Sequence, residues 1–562
     1  MACSKVFSGD LPELINGIAQ YLQNDYKTLM SCILVNRLWC RLIIPLLWEN
    51  PFSVIKNFRT NNKQKYRFIE IYLHDLNEDD KIQLKEYGVN YDLFPSNTLF
   101  NYPSFIKYFS TEIIIYSIDD WVCDNSDNRI LTIEFPLRVD MRSIKGFIFL
   151  LLIKTFIKNE ASLHVFRLEI SNTLRFIGEE HFNNSFELIL QNPNLICNVK
   201  NLTLYFDGFK EIVTSLKFFK CFYTNSNLIS SFYIFNDMNH YSSSNKKDVS
   251  QIINSQHNLK KILFHRDFFL FSLKDSNCSN TLKILILYEI DFKNIIIFKE
   301  VFEYLNVLEF IHFLYCHSLN SDIIQQIINL TKPFKLKSLF LNENPEILEI
   351  GSLHLLLQKT GNYLENIGFS SKINNKLKQQ LFDLSKIYCT KIKFLDLHGF
   401  DNQIIYSAFD LIKNIKQNLN YLTIDLYKSS QSDLDWEFTL SSIILFNLGQ
   451  ILPYKLEYLS LIFDEFNRSD LEVFLTKSQN TFINKLLIYN RSYQDCNDTL
   501  SCIKKYIMKE KRVRYFSMKG FYSYGQIVDL FYFKDKVEEF ESYNILVQSY
   551  NTLNIQAYNF IA

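Results

Sequence analysis

A short apolar motif recurs along this chain at nearly constant intervals, and it limits the fold more than any other feature. The motif has the form apolar-x-x-apolar-x-apolar, and its central residue falls at positions 285, 311, 339, 367, 395 and 422. A motif that recurs every 26 to 28 residues indicates stacked copies of one structural unit, since one copy cannot bury its apolar face alone. The six clear copies begin at Leu282, Leu308, Leu336, Leu364, Ile392 and Leu419.

Further copies extend the pattern in both directions. Three follow, beginning at Leu456, Ile483 and Val513. Weaker ones precede them: Leu163-x-x-Phe166-x-Leu168, Val199-x-x-Leu202-x-Leu204, Leu228-x-x-Ser231-x-Tyr233 and Leu259-x-x-Ile262-x-Phe264.

Each motif predicts a short strand whose alternate residues point inward, followed by a return that is usually helical. Asn320-Ser321-Asp322 and Ser469-Asp470 are candidate N-caps for two of the return helices. With a step near 28 residues, the motif resembles the leucine-rich repeat, although only Asn344 and Cys316 match the Asn or Cys that often follows it. The alternative is an ordinary α/β protein with Leu-rich strands.

The first fifty residues have a different, helical pattern. Pro12 suits the first turn of a helix, Asp10 is a candidate N-cap, and Leu14, Ile15, Ile18 and Leu22 recur at helical spacing. A second apolar stripe follows, and then a third, for which Asn36 is a candidate cap and within which Pro45 should bend or end the helix. A unit this small is marginal alone, so part of its apolar surface should meet a partner or the next domain.

The order of residue types in this segment resembles an F-box over residues 8–52: Leu11-Pro12, an apolar pair at Leu14-Ile15, then Val35-Asn36-Arg37-Leu38-Trp39 and Leu47-Trp48. Gly17 within the first helix departs from the pattern. The resemblance implies docking to the Skp-family adaptor of a cullin-based ubiquitin ligase. The implied adaptor-binding residues are Leu11, Pro12, Leu14, Ile15, Leu22, Val35 and Trp39.

These patterns predict an α/β solenoid: a short all-α F-box followed by an irregular leucine-rich-repeat horseshoe. The predicted domains are an F-box at 8–52, a connector that packs on the first repeats at 53–160, a repeat solenoid at 161–525 and a C-terminal cap or tail at 526–562. The composition fits a folded chain, with 48% hydrophobic and 21% charged residues.

Several function classes lack support in the sequence. Lys+Arg and Asp+Glu are balanced at 60 each, which lacks the basic footprint of a nucleic-acid binder. Neither a signal peptide nor an apolar run long enough for a membrane is expected. The 11 scattered cysteines suit reduced thiols, and we expect a cytoplasmic and/or nuclear protein. Motifs for phosphate binding, metal hydrolysis and serine catalysis are absent, so we expect no enzyme activity, cofactor or metal, although zinc at His312, Cys316 and His317 is conceivable.

Aromatic residues often precede the central motif residue, where side chains should lie on the concave surface of stacked strands. They are Phe310, Phe394, Tyr421, Tyr458 and Tyr515. Such rings are typical of protein interfaces, and they are the candidate client-binding residues. The chain contains 51 Phe and 33 Tyr, so biased composition offers an alternative explanation.

Two functions follow. The first is a substrate-recognition adaptor of a Skp–cullin–F-box ubiquitin ligase, with the adaptor, through it a cullin, and an unknown protein client as partners. The second is a non-ligase leucine-rich-repeat scaffold whose N-terminal helices only cap the solenoid.

Overall fold

The computed structural model describes residues 12–22, 25–54, 67–126, 141–206, 213–236, 243–266, 271–274, 276–293, 298–332, 335–342, 349–399, 401–426, 434–491, 496–508, 510, 512–522 and 526–561. The chain divides into two compact units. Unit 1 comprises Met1–Ile262 and Asp275–Leu282, and unit 2 comprises Leu263–Lys274 and Lys283–Ala562.

Unit 1 begins with three helices that share a small core. They span Pro12–Tyr21, Tyr26–Cys32 and Arg37–Trp48. Asn36 caps the third helix, its side-chain oxygen accepting a hydrogen bond from the Trp39 amide at 2.9 Å, which confirms the predicted cap. Pro45 lies inside this helix, which continues to Trp48. The buried core consists of Ile15, Ala19, Leu29, Trp39 and Ile43.

The rest of unit 1 alternates helices and parallel strands. The strands are β1 (Tyr108–Ser110), β2 (Val165–Glu169), β3 (Asn201–Phe206) and β4 (Ser231–Asn236), and they lie side by side in chain order. Strand β5 (Lys261–His265) contributes residues to both units. The α-helices are Pro51–Val54, Arg67–Tyr72, Glu78–Glu86, Thr111–Ser126, Met141–Lys158, Ile170–Ile177, Glu179–Gln191, Val213–Asn225 and Ser243–Ser255.

The register in unit 1 corrects one predicted motif. Phe232 of β4 pairs with Leu202 of β3, and Ile229, Phe232 and Ile234 are buried, whereas Leu228 is exposed. The motif is therefore Ile229-x-x-Phe232-x-Ile234, and the predicted copy starting at Leu228 is one residue out of register. A one-residue slip reverses which side chains face the core.

Unit 2 repeats a strand and a helix many times. Its strands are β6 (Ile284–Tyr288), β7 (Phe310–Cys316), β8 (Lys335–Leu341), β9 (Asn366–Phe369), β10 (Phe394–His398), β11 (Tyr421–Asp425), β12 (Lys455–Phe463), β13 (Phe482–Asn490), β14 (Val513–Tyr522), β15 (Gln526–Asp529) and β16 (Leu546–Val547). The α-helices are Phe271–Lys274, Phe298–Tyr304, Ser321–Ile328, Ile350–Thr360, Asn375–Tyr388, Ile405–Ile415, Leu434–Ile451, Arg468–Lys477, Cys496–Ile503, Lys534–Glu541, Tyr550–Leu553 and Ala557–Ile561, and a π-helix spans Lys504–Met508.

Strands β6 to β14 are parallel, and each lies beside its neighbours in sequence. The fold of both units is thus α/β with mostly parallel strands. Asn320 caps the helix that follows β7, as predicted, by accepting from the Ile323 amide. The predicted cap at Ser469-Asp470 is wrong, because that helix already begins at Arg468.

The end of unit 2 covers the free edge of β14. Strand β15 pairs antiparallel with one half of β14 and β16 pairs parallel with the other half. The helix Lys534–Glu541 lies between them in sequence and buries Val537 and Phe540, with the Phe540 ring 5.3 Å from that of Phe516. Paired edges do not offer unpaired backbone groups to other chains.

Candidate functional site

The predicted adaptor-binding residues divide into buried and exposed sets. Ile15 and Trp39 are core residues, and Leu22 is half-buried against that core. Leu14 and Val35 are 54% and 46% exposed, so their side chains are available to a partner. Leu11 lies outside the described residues, and Pro12 begins the first helix.

The three-helix unit also exposes apolar side chains that were not among the predicted binding residues: Ile18, Tyr21, Met30 and Leu34. Leu14, Ile18 and Tyr21 recur every three or four residues of the first helix and so share one face. Met30, Leu34 and Val35 are exposed on the second helix and the turn that follows it. The signal in the sequence was their position beside the buried stripe, since exposed apolar side chains gathered on so small a unit suggest an interaction surface.

The C-terminal end of the third helix anchors the three helices to the rest of unit 1. The Trp48 ring lies 4.1 Å from the Tyr102 ring and 5.4 Å from that of Tyr72. The Glu49 carbonyl accepts hydrogen bonds from the amides of Lys107 and Tyr108, at 2.9 and 3.1 Å. The three helices are thus joined to the start of strand β1.

Unit 2 brings three of the five predicted client-binding residues together. Phe394, Tyr421 and Tyr458 occupy equivalent positions on β10, β11 and β12 and form what we call the aromatic row. Neighbouring ring centroids lie 6.1 and 6.5 Å apart, within the range of favourable aromatic pairs. Tyr515 belongs to the same row of the sheet, but Lys485 of β13 separates it from Tyr458.

Phe310 does not join the row, contrary to the predicted alignment of all five aromatic residues. The pairing of β7 with β8 shifts register between Ile311 and His312, so that Phe310 pairs with Lys335 whereas His312 pairs with Ser338. A second shift, after Leu314, coincides with Tyr315, whose φ of 52° lies in the left-handed region. Strands β8 and β9 pair Ser338 with Asn366, which in turn pairs with Phe394, so His312 takes the place predicted for Phe310.

The aromatic row is covered by residues 546–561 of the same chain, here called the C-terminal segment. The Phe560 ring lies 4.6 Å from Tyr421 and 5.2 Å from Phe394. The Tyr458 hydroxyl donates to the Asn554 side-chain oxygen at 3.2 Å and accepts from the Ile555 amide at 3.2 Å. Tyr458 and Phe394 are consequently buried.

Two further aromatic residues of the C-terminal segment contact the same face. Tyr550 packs against Tyr489 at 5.5 Å and joins a buried cluster with Tyr458, Leu487 and Leu553. Tyr558 stacks on Tyr288 of β6, with ring centroids 5.0 Å apart.

A polar group beside the aromatic row is here called the acid–histidine cluster: Asp396, His398, Asp425 and Arg491. His398 Nε2 lies 2.9 Å from Asp396 Oδ1, and His398 Nδ1 lies 3.4 Å from Asp425 Oδ2. Arg491 Nη1 lies 3.4 Å from Asp425 Oδ1. Burial opposes the charged form of His398, but the two carboxylates outweigh burial and raise its pKa to about 10.

Tyr315 ties the cluster to strand β7, because its hydroxyl donates to the Asp396 carboxylate. Burial first, and then the negative charge of Asp396, raise the pKa of Tyr315. The tyrosine therefore stays protonated and keeps its donor. The carboxylates of the cluster are all engaged by donors from this chain, which is typical of a structural polar network.

The cluster and the C-terminal segment line an open pocket of about 430 Å³. Its lining includes Tyr288, Glu289, Asp396, His398, Asp425 and residues 554–558. Hydrogen bonding from His265, together with Arg266, lowers the pKa of Glu289 to about 2 in spite of burial. The pocket is therefore lined by aromatic rings and by charged groups that are already paired within the chain.

His312 is buried, with Nδ1 2.8 Å from the Ser338 hydroxyl. Within the described part of the chain, no group of three or more His, Cys, Asp or Glu side chains is arranged to hold a metal ion. In the same residues, no helix combines the length and apolar character needed to cross a bilayer.

Comparison with known proteins assigns this chain to no family. No protein-family model matches it, and no curated protein sequence matches it significantly.

Proposed function

We propose that this chain is the substrate-recognition subunit of a Skp–cullin–F-box ubiquitin ligase. Its three N-terminal helices would bind a Skp-family adaptor, and the strand face of unit 2 would hold a protein client. The chain supplies proximity between the client and the ubiquitin-charged enzyme, and no bond-making chemistry of its own.

One observation carries the proposal: a helical unit with its own core that leaves apolar side chains exposed. Leu14 and Val35 belong to the F-box-like pattern, and both are about half exposed. Burying a fully exposed Leu or Val contributes about 1.5–3 kcal/mol, so burying the exposed half of each of these side chains contributes about 1 kcal/mol. A helical unit that only capped the repeats would have no use for this exposed set.

The second candidate function, a scaffold whose N-terminal helices only cap the repeats, is supported by the third helix. Its Trp48 packs on Tyr72 and Tyr102, and Glu49 holds the start of β1. These contacts use neither Leu14 nor Val35. They are compatible with adaptor binding through those exposed residues.

Co-purification with a Skp-family adaptor separates the two functions. The variant Leu14→Glu with Val35→Glu changes exposed positions, so it should fold normally and lose at least tenfold in adaptor binding, because charged groups resist burial at an interface. A matched control is Leu99→Glu, since Leu99 is 92% exposed elsewhere in unit 1. Failure of the wild-type chain to bind the adaptor, or equal binding by all variants, would refute the ligase function.

A further inference from the structure

We propose that the C-terminal segment is an internal ligand of the client-binding face, and that the client is a neutral polypeptide with aromatic anchors that replaces it. The existence of a client rests on the proposed function. The contacts that define the binding chemistry all lie within unit 2.

The C-terminal segment carries no charged side chains. Residues 546–561 contain no Asp, Glu, Lys, Arg or His, in a chain with 120 acidic and basic residues among 562. Three aromatic residues, Tyr550, Tyr558 and Phe560, fall within this stretch. A neutral chain that carries aromatic side chains is what a desolvated interface core prefers.

The start of the C-terminal segment is held differently from the rest of it. Strand β16 fixes its start, and the Gln548 amide still donates to the Phe516 carbonyl. Beyond that point the segment makes backbone hydrogen bonds within itself, from Thr552 to Ser549, Asn554 to Tyr550 and Phe560 to Gln556. Two of its amides donate to side chains of the strands, Tyr550 to the Asp529 carboxylate and Ile555 to the Tyr458 hydroxyl. After β16 the segment therefore no longer extends the sheet and lies on its face as a strip.

Side chains supply the contacts between the strip and the strands. Phe560 packs on Phe394 and Tyr421, and Tyr558 stacks on Tyr288. The Tyr458 hydroxyl bonds both the Asn554 side chain and the Ile555 amide. Aromatic anchors with a few polar contacts are the pattern of a protein–peptide interface.

The occupied surface includes the aromatic row that the sequence suggested for client binding. A client that uses this row must displace the C-terminal segment, because Phe394 and Tyr458 are buried while the segment is in place. The segment thus defines the client's chemistry and also competes with the client.

The test uses a fluorescent peptide with the sequence of residues 548–561, added to the full chain and to a variant lacking residues 548–562. The shortened variant retains β16. A tethered segment has an effective concentration of about 1 mM, so a peptide of intrinsic Kd about 10 μM should bind the full chain about 100-fold more weakly than the shortened one. A scrambled peptide should bind neither chain.

A double-alanine variant of the full chain keeps the test decisive if the shortened chain does not fold. In the full chain, Tyr558→Ala with Phe560→Ala should loosen the segment and strengthen peptide binding about tenfold, since lost anchors weaken the tethered competitor. Tyr532→Ala is the matched control, because Tyr532 is 74% exposed elsewhere in unit 2. Adding Tyr421→Ala to the shortened chain should abolish peptide binding.

The proposal is overturned if a folded shortened chain fails to bind the peptide. It is also overturned if the double-alanine chain binds no better than wild type, or if Tyr421→Ala has no effect. Adaptor co-purification is measured on the same preparations. If the wild-type chain does not bind the adaptor but the peptide results are as expected, only the ligase function is refuted. If the wild-type chain binds the adaptor but the peptide results fail, only the internal ligand is refuted.

Discussion

At the scale of single residues, His398 shows how neighbouring strands set a side chain's charge. Asp396 lies on its own strand and Asp425 on the next, and the two carboxylates raise the pKa of His398 to about 10 against the effect of burial. An ordinary histidine has a pKa near 6.5, so His398 is charged in the folded protein at neutral pH. The repeat pattern placed these residues on one surface, but their pairing required the strand register.

His398 should make the stability of unit 2 depend on pH. Its folded pKa is raised, so its contribution is complete below about pH 6.5 and is lost as the pH rises through about 10. His398→Gln should lower the free energy of unfolding by about 2 kcal/mol at pH 6, with a much smaller effect at pH 10. Urea unfolding at both pH values measures this difference. A loss of equal size at both would contradict the assignment, and His257→Gln, at an exposed position, serves as the control.

At the scale of elements, two helical glycines should respond oppositely to the same substitution. A Cβ on Gly146 would lie 2.5 Å from His181 Cδ2 and 2.6 Å from the Ile177 carbonyl oxygen, whereas a Cβ on Gly17 meets nothing within 4 Å. Gly146→Ala should destabilise the protein by about 1–3 kcal/mol through overpacking. Gly17→Ala should stabilise the first helix by up to about 1 kcal/mol. Urea denaturation of both variants checks the signs, and a shared sign would show that packing does not decide the outcome.

Elements were predictable from the sequence where the signal is local. The caps at Asn36 and Asn320 follow from side-chain chemistry three residues ahead of the amide they bind. The strand register was harder to predict, because the motif that starts at Leu228 and the motif that starts at Ile229 differ by one residue. The bulge beside Tyr315 depends on a left-handed backbone at a tyrosine, which no residue preference indicates.

At the scale of the whole molecule, the candidate sites were only partly predictable. Helical periodicity identified Ile15 and Leu14 together, but only packing shows that Ile15 is core and Leu14 is exposed. The repeat predicted the aromatic row, but it did not predict that the C-terminal segment covers this row. Tyr458 and Asn554 are 96 residues apart in sequence, and no periodic signal links them.

At this scale, strands β15 and β16 also keep the edge of the sheet from pairing with other chains. The free edge of β14 is paired by β15 along Lys519–Tyr522 and by β16 at Tyr515 and Phe516. A chain ending at residue 525 would expose this edge, and unpaired edges associate with one another. We expect that chain to self-associate with rising concentration, whereas a chain ending at residue 547 keeps both strands and should self-associate less. Sedimentation velocity at several concentrations distinguishes them, and equal behaviour of the two chains would show that edge pairing does not control association.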